Sequence, residues 1–146
     1  MPVPTPRPGL VIRYSYLWHA EHLAGREEGS KDRPSAVIAV IKSSSDGQTR
    51  VLVLPITHSA PMTGVASIEI PQTVKRGIGL DSDRSWIVLA EWNEFVWPGP
   101  DLRPVPNDPD GDMAYGFLSQ GFFARVRDEF VATVESGRAK RVFRTE

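Results

Sequence analysis

The chain has 146 residues, with 17 Lys and Arg against 18 Asp and Glu, a net charge of −1 and no cysteine. This length suits one domain with a single core, and the balanced charge argues against general polyanion binding. Without cysteine, the chain has no disulfides, no thiolate catalysis and no cysteine-ligated zinc. The longest apolar runs are too short to cross a bilayer, and the start of the chain lacks the apolar segment of a secretory signal. We therefore expect a cytoplasmic protein that makes no membrane contact.

The first part of the chain predicts an extended start, a strand and a long polar loop. Residues 1–8 are rich in proline and should be extended. In residues 10–18, "LVIRYSYLW", aromatic residues recur at every second position, which is typical of a half-buried strand. Residues 19–32, "HAEHLAGREEGSKD", are polar, so we expect a mobile solvated loop of the kind that often carries function.

The centre of the chain predicts several short strands. The runs "SAVIAVI" and "VLVLPI" flank a loop that contains Asp46-Gly47, a combination typical of a hairpin. Residues 98–112 hold five of the thirteen prolines and cannot be regular structure. The predicted strands are 35–41, 51–56, 66–70 and 85–97, the last being either one strand or two around a bend.

The end of the chain predicts one amphipathic helix. Ser119 is a suitable N-cap and Gly137 a suitable end. Residues 137–146 should form a solvated basic tail. We therefore expect one domain over residues 1–146, mainly β with α, built as a small twisted antiparallel sheet or barrel with the helix packed on it. The apolar stripe of the helix is Phe123, Val126, Phe130 and Val134.

Two strand ends carry residues suited to phosphate chemistry. Pro34 restricts Arg33 to an extended conformation at the start of one strand, and Thr57 and His58 follow the end of the next. If these strands pair as neighbours, Arg33 and Thr57 lie at the same end of the sheet. The Arg fork binds phosphate through two hydrogen bonds, and a His ring can transfer a proton near neutral pH.

The order of these motifs resembles that of PemK/MazF-type toxins, the ribonuclease halves of bacterial toxin–antitoxin pairs. The matching segments are "PGLVIRYSYLW", "GREEGSKDRPSAVI", "VLVLPITHS", "VLAEWNEF" and "YGFLSQGFFARVRDEFVATV". Together they extend over residues 9–135. The resemblance implies an SH3-like antiparallel barrel with a C-terminal helix, assembled as a homodimer.

The resemblance also implies an activity, which is cleavage of single-stranded RNA through attack by the ribose 2′-hydroxyl, without a metal or other cofactor, to inhibit growth. Arg33 would supply charge and a proton, Thr57 would bind a phosphate oxygen, His58 would act as an acid and Glu91 as the base. A cognate antitoxin with an acidic tail is the expected partner. The residues expected to bind RNA are Arg26, Ser59, Lys75, Arg76, Arg84 and Trp92, with Trp97 as a second possible stacking platform.

The chain departs from the family pattern at several positions. Glu91 stands where the family often has Asp, Trp92 where it has Gln, and Leu89 where some members have Arg. His58 replaces the second Ser of the family's Thr-Ser pair. Residues 70–85 are longer than the corresponding family segment and bring the extra cations.

Other interpretations of the same residues remain open. One alternative for Arg33 is a surface ion pair with Asp32 or Glu28, and one for Glu91 is a solvent-facing position in its strand. Trp92 and Trp97 are also candidates for core or dimer contacts. His19 with His22, and the "DPDGD" segment, weakly suggest metal sites. For the whole protein, the alternatives are a non-enzymatic gyrase-binding toxin of the same fold and a catalytically degenerate interaction module.

Overall fold

A computed structural model describes residues 3–144 and contains, within that range, eight strands and three helices. The expectation of a mainly β protein with some α-helix is confirmed. The strands are β1 (Leu10–Tyr14), β2 (Arg33–Lys42), β3 (Thr49–Thr57), β4 (Ser67–Glu69), β5 (Trp86–Val88), β6 (Glu91–Val96), β7 (Ala114–Phe117) and β8 (Lys140–Phe143), and the helices are α1 (His19–Leu23), α2 (Gln72–Gly77) and α3 (Gln120–Glu135).

The strands form one open sheet, in the order β4-β5-β3-β2-β1-β7. The strand β6 also pairs with β3, and β8 extends the sheet by pairing with β6. The β6–β8 pairing is parallel, whereas the other pairings among the described strands are antiparallel. The sheet does not close into a barrel.

The sheet is buried on both faces by two separate apolar clusters. One cluster joins α3 to side chains such as Leu54 and Ile87, and the other contains Tyr14, Val53 and Phe95. A strand covered on both faces needs apolar residues at successive positions, not only at alternate ones. This explains why β2 and β3 appear in the sequence as continuous apolar runs.

The C-terminal helix forms where the sequence predicts it, although its buried face is rotated. Ser119 occupies the N-cap position without a side-chain capping bond, and Gly137 adopts a φ of +74° just after the helix. Val134, expected in the core, is 39% exposed. The buried residues are Phe122, Val126, Phe130 and Thr133.

The sequence analysis missed two short helices. The polar loop begins with α1, and residues 70–85 contain α2, each only five or six residues long. Helices of this length show too little apolar periodicity to be recognised. By contrast, residues 98–112 contain no helix or strand, as expected, and residues 85–97 form two strands around a bend.

The basic tail is the largest error in the predicted fold. Residues 140–143 form β8 rather than a solvated tail, and Arg144 is only 3% exposed. Its guanidinium donates to Asp101 Oδ2 at 2.9 Å and to the carbonyl of Ser15 at 2.9 Å. These partners compensate the desolvated charge, which is why the segment can be buried.

The N-terminal segment lies against the sheet from Pro4 onward. The indole of Trp97 donates a hydrogen bond to the carbonyl of Pro4 at 3.2 Å. Residues 1 and 2, and residues 145 and 146 of the expected tail, lie outside the described residues. Within residues 3–144, no helix has the length and apolar character needed to cross a membrane.

Candidate functional site

Arg33 and Thr57 lie at the same end of the β2–β3 hairpin, as expected. The register pairs Ser35 with Pro55. Continuing it by two residues sets Arg33, the first residue of β2, opposite Thr57, the last residue of β3. Directly opposed residues of an antiparallel pair project to the same face. The two side chains therefore leave the sheet on the same side.

Glu91 projects to that same face from the next strand. The strand β6 pairs with β3 through Val53 and Asn93. Two residues further along, the register sets Glu91 opposite Pro55, between Val53 and Thr57 on β3. The fold therefore places a guanidinium, a hydroxyl and a carboxylate on one face of the sheet, at the start of β2, the end of β3 and the start of β6.

The Arg33 guanidinium is buried and forms no ion pair with a carboxylate of residues 3–144, although Glu21 is close enough for its charge to act on it. The residue is 8% exposed, and its Cζ lies 4.9 Å from the ring centroid of Trp18. Its Nε has no hydrogen-bond partner among the described residues, and burial lowers the pKa of this guanidinium. The surface ion pair considered for Arg33 is not formed, because Asp32 contacts Arg103 at 3.7 Å instead. A buried cation lacking a partner is costly, so this position favours an anionic ligand.

Glu91 is half-buried and held in place by two donors. Its Oε1 accepts a hydrogen bond from the backbone N–H of His19 at 2.8 Å and from the hydroxyl of Tyr16 at 3.1 Å. Burial raises the pKa of Glu91, and these two bonds partly oppose that rise. The pKa of Tyr16 is also raised, mainly by burial, so its hydroxyl stays protonated as a donor. A carboxylate with a raised pKa is a stronger base.

Thr57 and Glu91 line the same cavity of about 600 Å³, which we call the β3–β6 cavity. Thr57 Oγ1 accepts a hydrogen bond from the backbone N–H of Ser59 at 3.1 Å, which leaves the hydroxyl hydrogen free to donate. Arg33 lines a neighbouring cavity of about 470 Å³. It shares that cavity with His58, and its guanidinium contacts Trp18, which lines the β3–β6 cavity.

His58 is separated from this cavity. Successive residues of a strand point to opposite faces, and His58 lines the neighbouring cavity instead. Its Nδ1 lies 3.1 Å from Ser85 Oγ, and its Nε2 lies 3.2 Å from Asp81 Oδ2. With both ring nitrogens engaged on the other face, His58 is not placed to act as the acid beside Thr57 and Glu91.

Lys75 cannot belong to an RNA-binding patch. The residue is fully buried, and its ammonium donates to Asp81 Oδ1 at 3.1 Å, to Ser85 Oγ at 2.8 Å and to the carbonyl of Asp83. It joins α2 to residues 81–85 of the same segment, which is a structural role. The sequence could not distinguish this lysine from an exposed one.

The other residues expected to bind RNA are scattered. Arg84 forms a two-bond ion pair with Glu69, at 2.7 and 2.8 Å. Arg26 contacts Glu21 at 3.7 Å, and Arg76 is exposed. Ser59 lines the β3–β6 cavity, whereas Arg26, Arg76 and Arg84 do not.

Both tryptophans expected to stack on a base are half-buried and pack against aromatic residues of the protein, and neither lines the β3–β6 cavity. Trp92 packs edge-on against Phe130 at 5.5 Å between centroids, and its indole nitrogen is buried. Trp97 stacks on Phe95 at 6.0 Å. Trp92 packs against one apolar cluster and Trp97 against the other, which agrees with the alternative that both make core contacts. Trp18, which the sequence analysis placed only at the end of a strand, is the tryptophan that lines the β3–β6 cavity.

One group of side chains within residues 3–144 has the spacing of metal ligands. The ligand atoms of His58, Asp81 and Asp83 lie within 4.8 Å of one another. The Lys75 ammonium already neutralises Asp81 from the protein side, and this disfavours a second cation. The described residues place no such group at His19 with His22, or in residues 108–112.

Comparisons of the chain with protein-family models, with curated proteins and with solved structures give no match. Its function must therefore be inferred from its own side chains.

Proposed function

We propose that this protein is a metal-independent endoribonuclease that cleaves single-stranded RNA in the manner of the PemK/MazF-type toxins. The observation that carries the proposal is the buried Arg33 guanidinium, which forms no ion pair within residues 3–144 and projects from the same face and end of the sheet as Thr57 and Glu91. A phosphodiester would supply the missing anion. The hydroxyl and the carboxylate would then lie beside a phosphate whose ribose carries its own nucleophile.

The reaction needs no group outside the RNA and these side chains. The Glu91 carboxylate takes the proton of the ribose 2′-hydroxyl, and the 2′-oxygen forms a bond to phosphorus. Arg33 neutralises the crowded phosphorane, while the Thr57 hydroxyl donates to one of its oxygens. The bond from phosphorus to the 5′-oxygen breaks, and that oxygen takes a proton from Arg33, which regains one from Glu91. The products are a 2′,3′-cyclic phosphate and a 5′-hydroxyl.

The environment of each group supports its role. Burial raises the pKa of Glu91, which strengthens the base, and lowers the pKa of Arg33, which makes proton donation less costly. Tyr16 and the backbone of His19 fix the position of the carboxylate. A fixed carboxylate loses less entropy when the reacting geometry is reached.

The wider toxin context belongs to the same proposal. It comprises a variant of the SH3-like fold, a homodimer, a cytoplasmic location and a cognate antitoxin whose acidic segment covers the Arg33 region. These elements follow from the resemblance between the motif order and the PemK/MazF family. Co-purification with a neighbouring gene product, followed by loss of RNA cleavage on its binding, would test the antitoxin.

RNA cleavage by the purified protein tests the proposal. With EDTA present, the wild type should cut labelled single-stranded RNA to 2′,3′-cyclic phosphate products, identified by mass spectrometry. Arg33→Ala and Glu91→Gln should each lose about 10²–10⁴-fold in rate, and Thr57→Val should lose less. Lys42→Ala, which removes an exposed cation at the opposite end of β2 from Arg33, should cut normally.

The nucleophile gives a second control. RNA with a single 2′-deoxy substitution at the cut site should resist cleavage there. Cutting of that substrate, or full activity of Arg33→Ala, would overturn the proposal. Inhibition of DNA supercoiling with intact RNA would instead favour the gyrase-binding alternative.

A further inference from the structure

Two cations, Arg138 just before β8 and Lys140 at its first residue, line the β3–β6 cavity. The parallel register pairs Lys140 with Glu91, and both Arg138 and Lys140 line the cavity. Arg138 uses its Nε to donate to Ser136 Oγ at 2.8 Å. Neither cation forms an ion pair with a carboxylate among residues 3–144. Glu91 instead accepts hydrogen bonds from the Tyr16 hydroxyl and the backbone N–H of His19.

The two following cations, Arg141 on β8 and Arg144 just after it, interact with other parts of the protein. Arg141 projects to the opposite face, where its Nη1 lies 3.8 Å from Glu94 Oε1. Arg144 is buried in its own network. The basic end of the chain is therefore divided. Arg141 and Arg144 pair with carboxylates of the protein, whereas Arg138 and Lys140 line the cavity and form no ion pair within residues 3–144.

The cavity also has apolar lining residues, which we call the apolar wall. They include Trp18, Pro61, Val65 and Met62, the last of which is 81% exposed. An exposed methionine offers a soft, adaptable surface, and an indole offers a face for stacking a base. The cavity volume of about 600 Å³ lies within the usual range for small ligands.

We propose that the β3–β6 cavity binds the nucleotide next to the scissile phosphate, with its base against Trp18 and Met62 and its own phosphate between Arg138 and Lys140. This inference rests on the proposed function and adds a second phosphate site to it. Apolar residues and two cations lining one cavity suit the base and the phosphate of a nucleotide, respectively. The base must leave its stack to enter, which restricts the substrate to single-stranded RNA.

Binding of uncleavable RNA tests the inference separately from catalysis. Fluorescein-labelled oligonucleotides carrying 2′-O-methyl groups would be titrated with the protein at several salt concentrations, and anisotropy recorded. Arg138→Ala and Lys140→Ala should each weaken binding about 3–10-fold. The double variant should lower the slope of log K against log salt by about 0.7, the value for one phosphate of a single strand.

Arg141→Ala is the matched control, since it removes a cation from the same segment but from the other face. It should change neither the affinity nor the slope. An RNA with one abasic site in the flanking position tests the apolar wall. It should bind the wild type more weakly than intact RNA does, and this difference should shrink in Met62→Ser.

The outcomes separate the two proposals. If unmodified RNA is cleaved but Arg138→Ala and Lys140→Ala bind as the wild type does, the subsite is wrong and the nuclease stands. If RNA is bound with the expected dependence on Lys140 but never cleaved, the subsite stands and the nuclease fails. If an acidic peptide binds through Lys140 whereas RNA does not bind, the cavity is a protein-docking site and the inference is overturned.

Discussion

The hydroxyl of Tyr16 donates a hydrogen bond of 3.1 Å to Oε1 of Glu91, 75 residues further along the chain. Tyr16 lies just beyond β1 and is fully buried, whereas Glu91 opens β6 and lines a cavity. The bond ties the carboxylate to the core of the protein. It also helps to set the pH at which that carboxylate loses its proton.

The first prediction concerns the pH profile of RNA cleavage. Because Glu91 must be ionised to act as the base, the rate should rise with pH through its raised pKa. The Tyr16 bond stabilises the ionised form, so Tyr16→Phe should raise that pKa further and move the acid limb of the profile to higher pH. Tyr14→Phe removes a hydroxyl that bonds Arg144, and should leave the limb in place. An unmoved limb in Tyr16→Phe would exclude Glu91 as the titrating base.

The second prediction concerns stability. Burial raises the pKa of Glu91 on folding, so between the unfolded value of about 4.3 and the raised folded value, the folded chain holds a proton that the unfolded chain has released. The free energy of unfolding therefore falls as the pH rises through this interval. Gln does not titrate. Glu91→Gln should gain stability relative to the wild type across the interval and show a constant difference above it, as measured by urea unfolding. If instead the wild type gained stability relative to Glu91→Gln as the pH rose, folding would lower the pKa of Glu91 and the prediction would be wrong.

The third prediction concerns the end of the chain. Arg144→Met should lower the free energy of unfolding by about 3–5 kcal/mol, because it leaves Asp101 buried with less compensation. Its neighbour Arg141 is more than half exposed and pairs with Glu94 only at 3.8 Å. Arg141→Ala should therefore cost less than about 1 kcal/mol. Equal and small effects of the two changes in urea unfolding would show that residues 140–144 are not part of the folded core.

The fourth prediction separates a structural lysine from an RNA-binding one. Lys75→Met should destabilise the protein by about 1–3 kcal/mol, since Ser85 Oγ and the Asp83 carbonyl lose a buried donor. At temperatures where the variant is folded, its affinity for 2′-O-methyl RNA should equal that of the wild type. A loss of affinity with unchanged stability, measured by thermal unfolding and anisotropy on the same preparation, would return Lys75 to the RNA-binding surface.

Local patterns predicted the elements that dominate the fold. The hairpin of β2 and β3 follows from two apolar runs with Asp-Gly between them, and α3 follows from its period and its Gly137 end. The rotated face of α3 was missed because Phe122 and Phe123 are adjacent, and only packing decides which ring is buried. The helices α1 and α2 were missed because they are too short to show a period.

The site was predictable only where it depends on sequence neighbours. Arg33 and Thr57 lie opposite each other because a hairpin pairs the start of its first strand with the end of its second. Their placement could therefore be predicted from the sequence. His58 and Lys75 looked equally suited to a site. Strand alternation accounts for the position of His58 on the face opposite Thr57, but nothing local indicates that Lys75 is buried. Burial of a charged side chain depends on partners such as Asp81, which the sequence does not identify as contacts.

By itself the sequence determined the class of the fold, the central hairpin, the C-terminal helix and the convergence of Arg33 with Thr57, because each of these depends on short-range periodicity or turn chemistry. Only the tertiary structure decided that Trp18 lies under Arg33, and that β8 pairs in parallel with β6 and brings Lys140 to Glu91. Those contacts join segments that lie far apart in the chain. Their register is set by the packing of both faces of the sheet, and no local pattern specifies it.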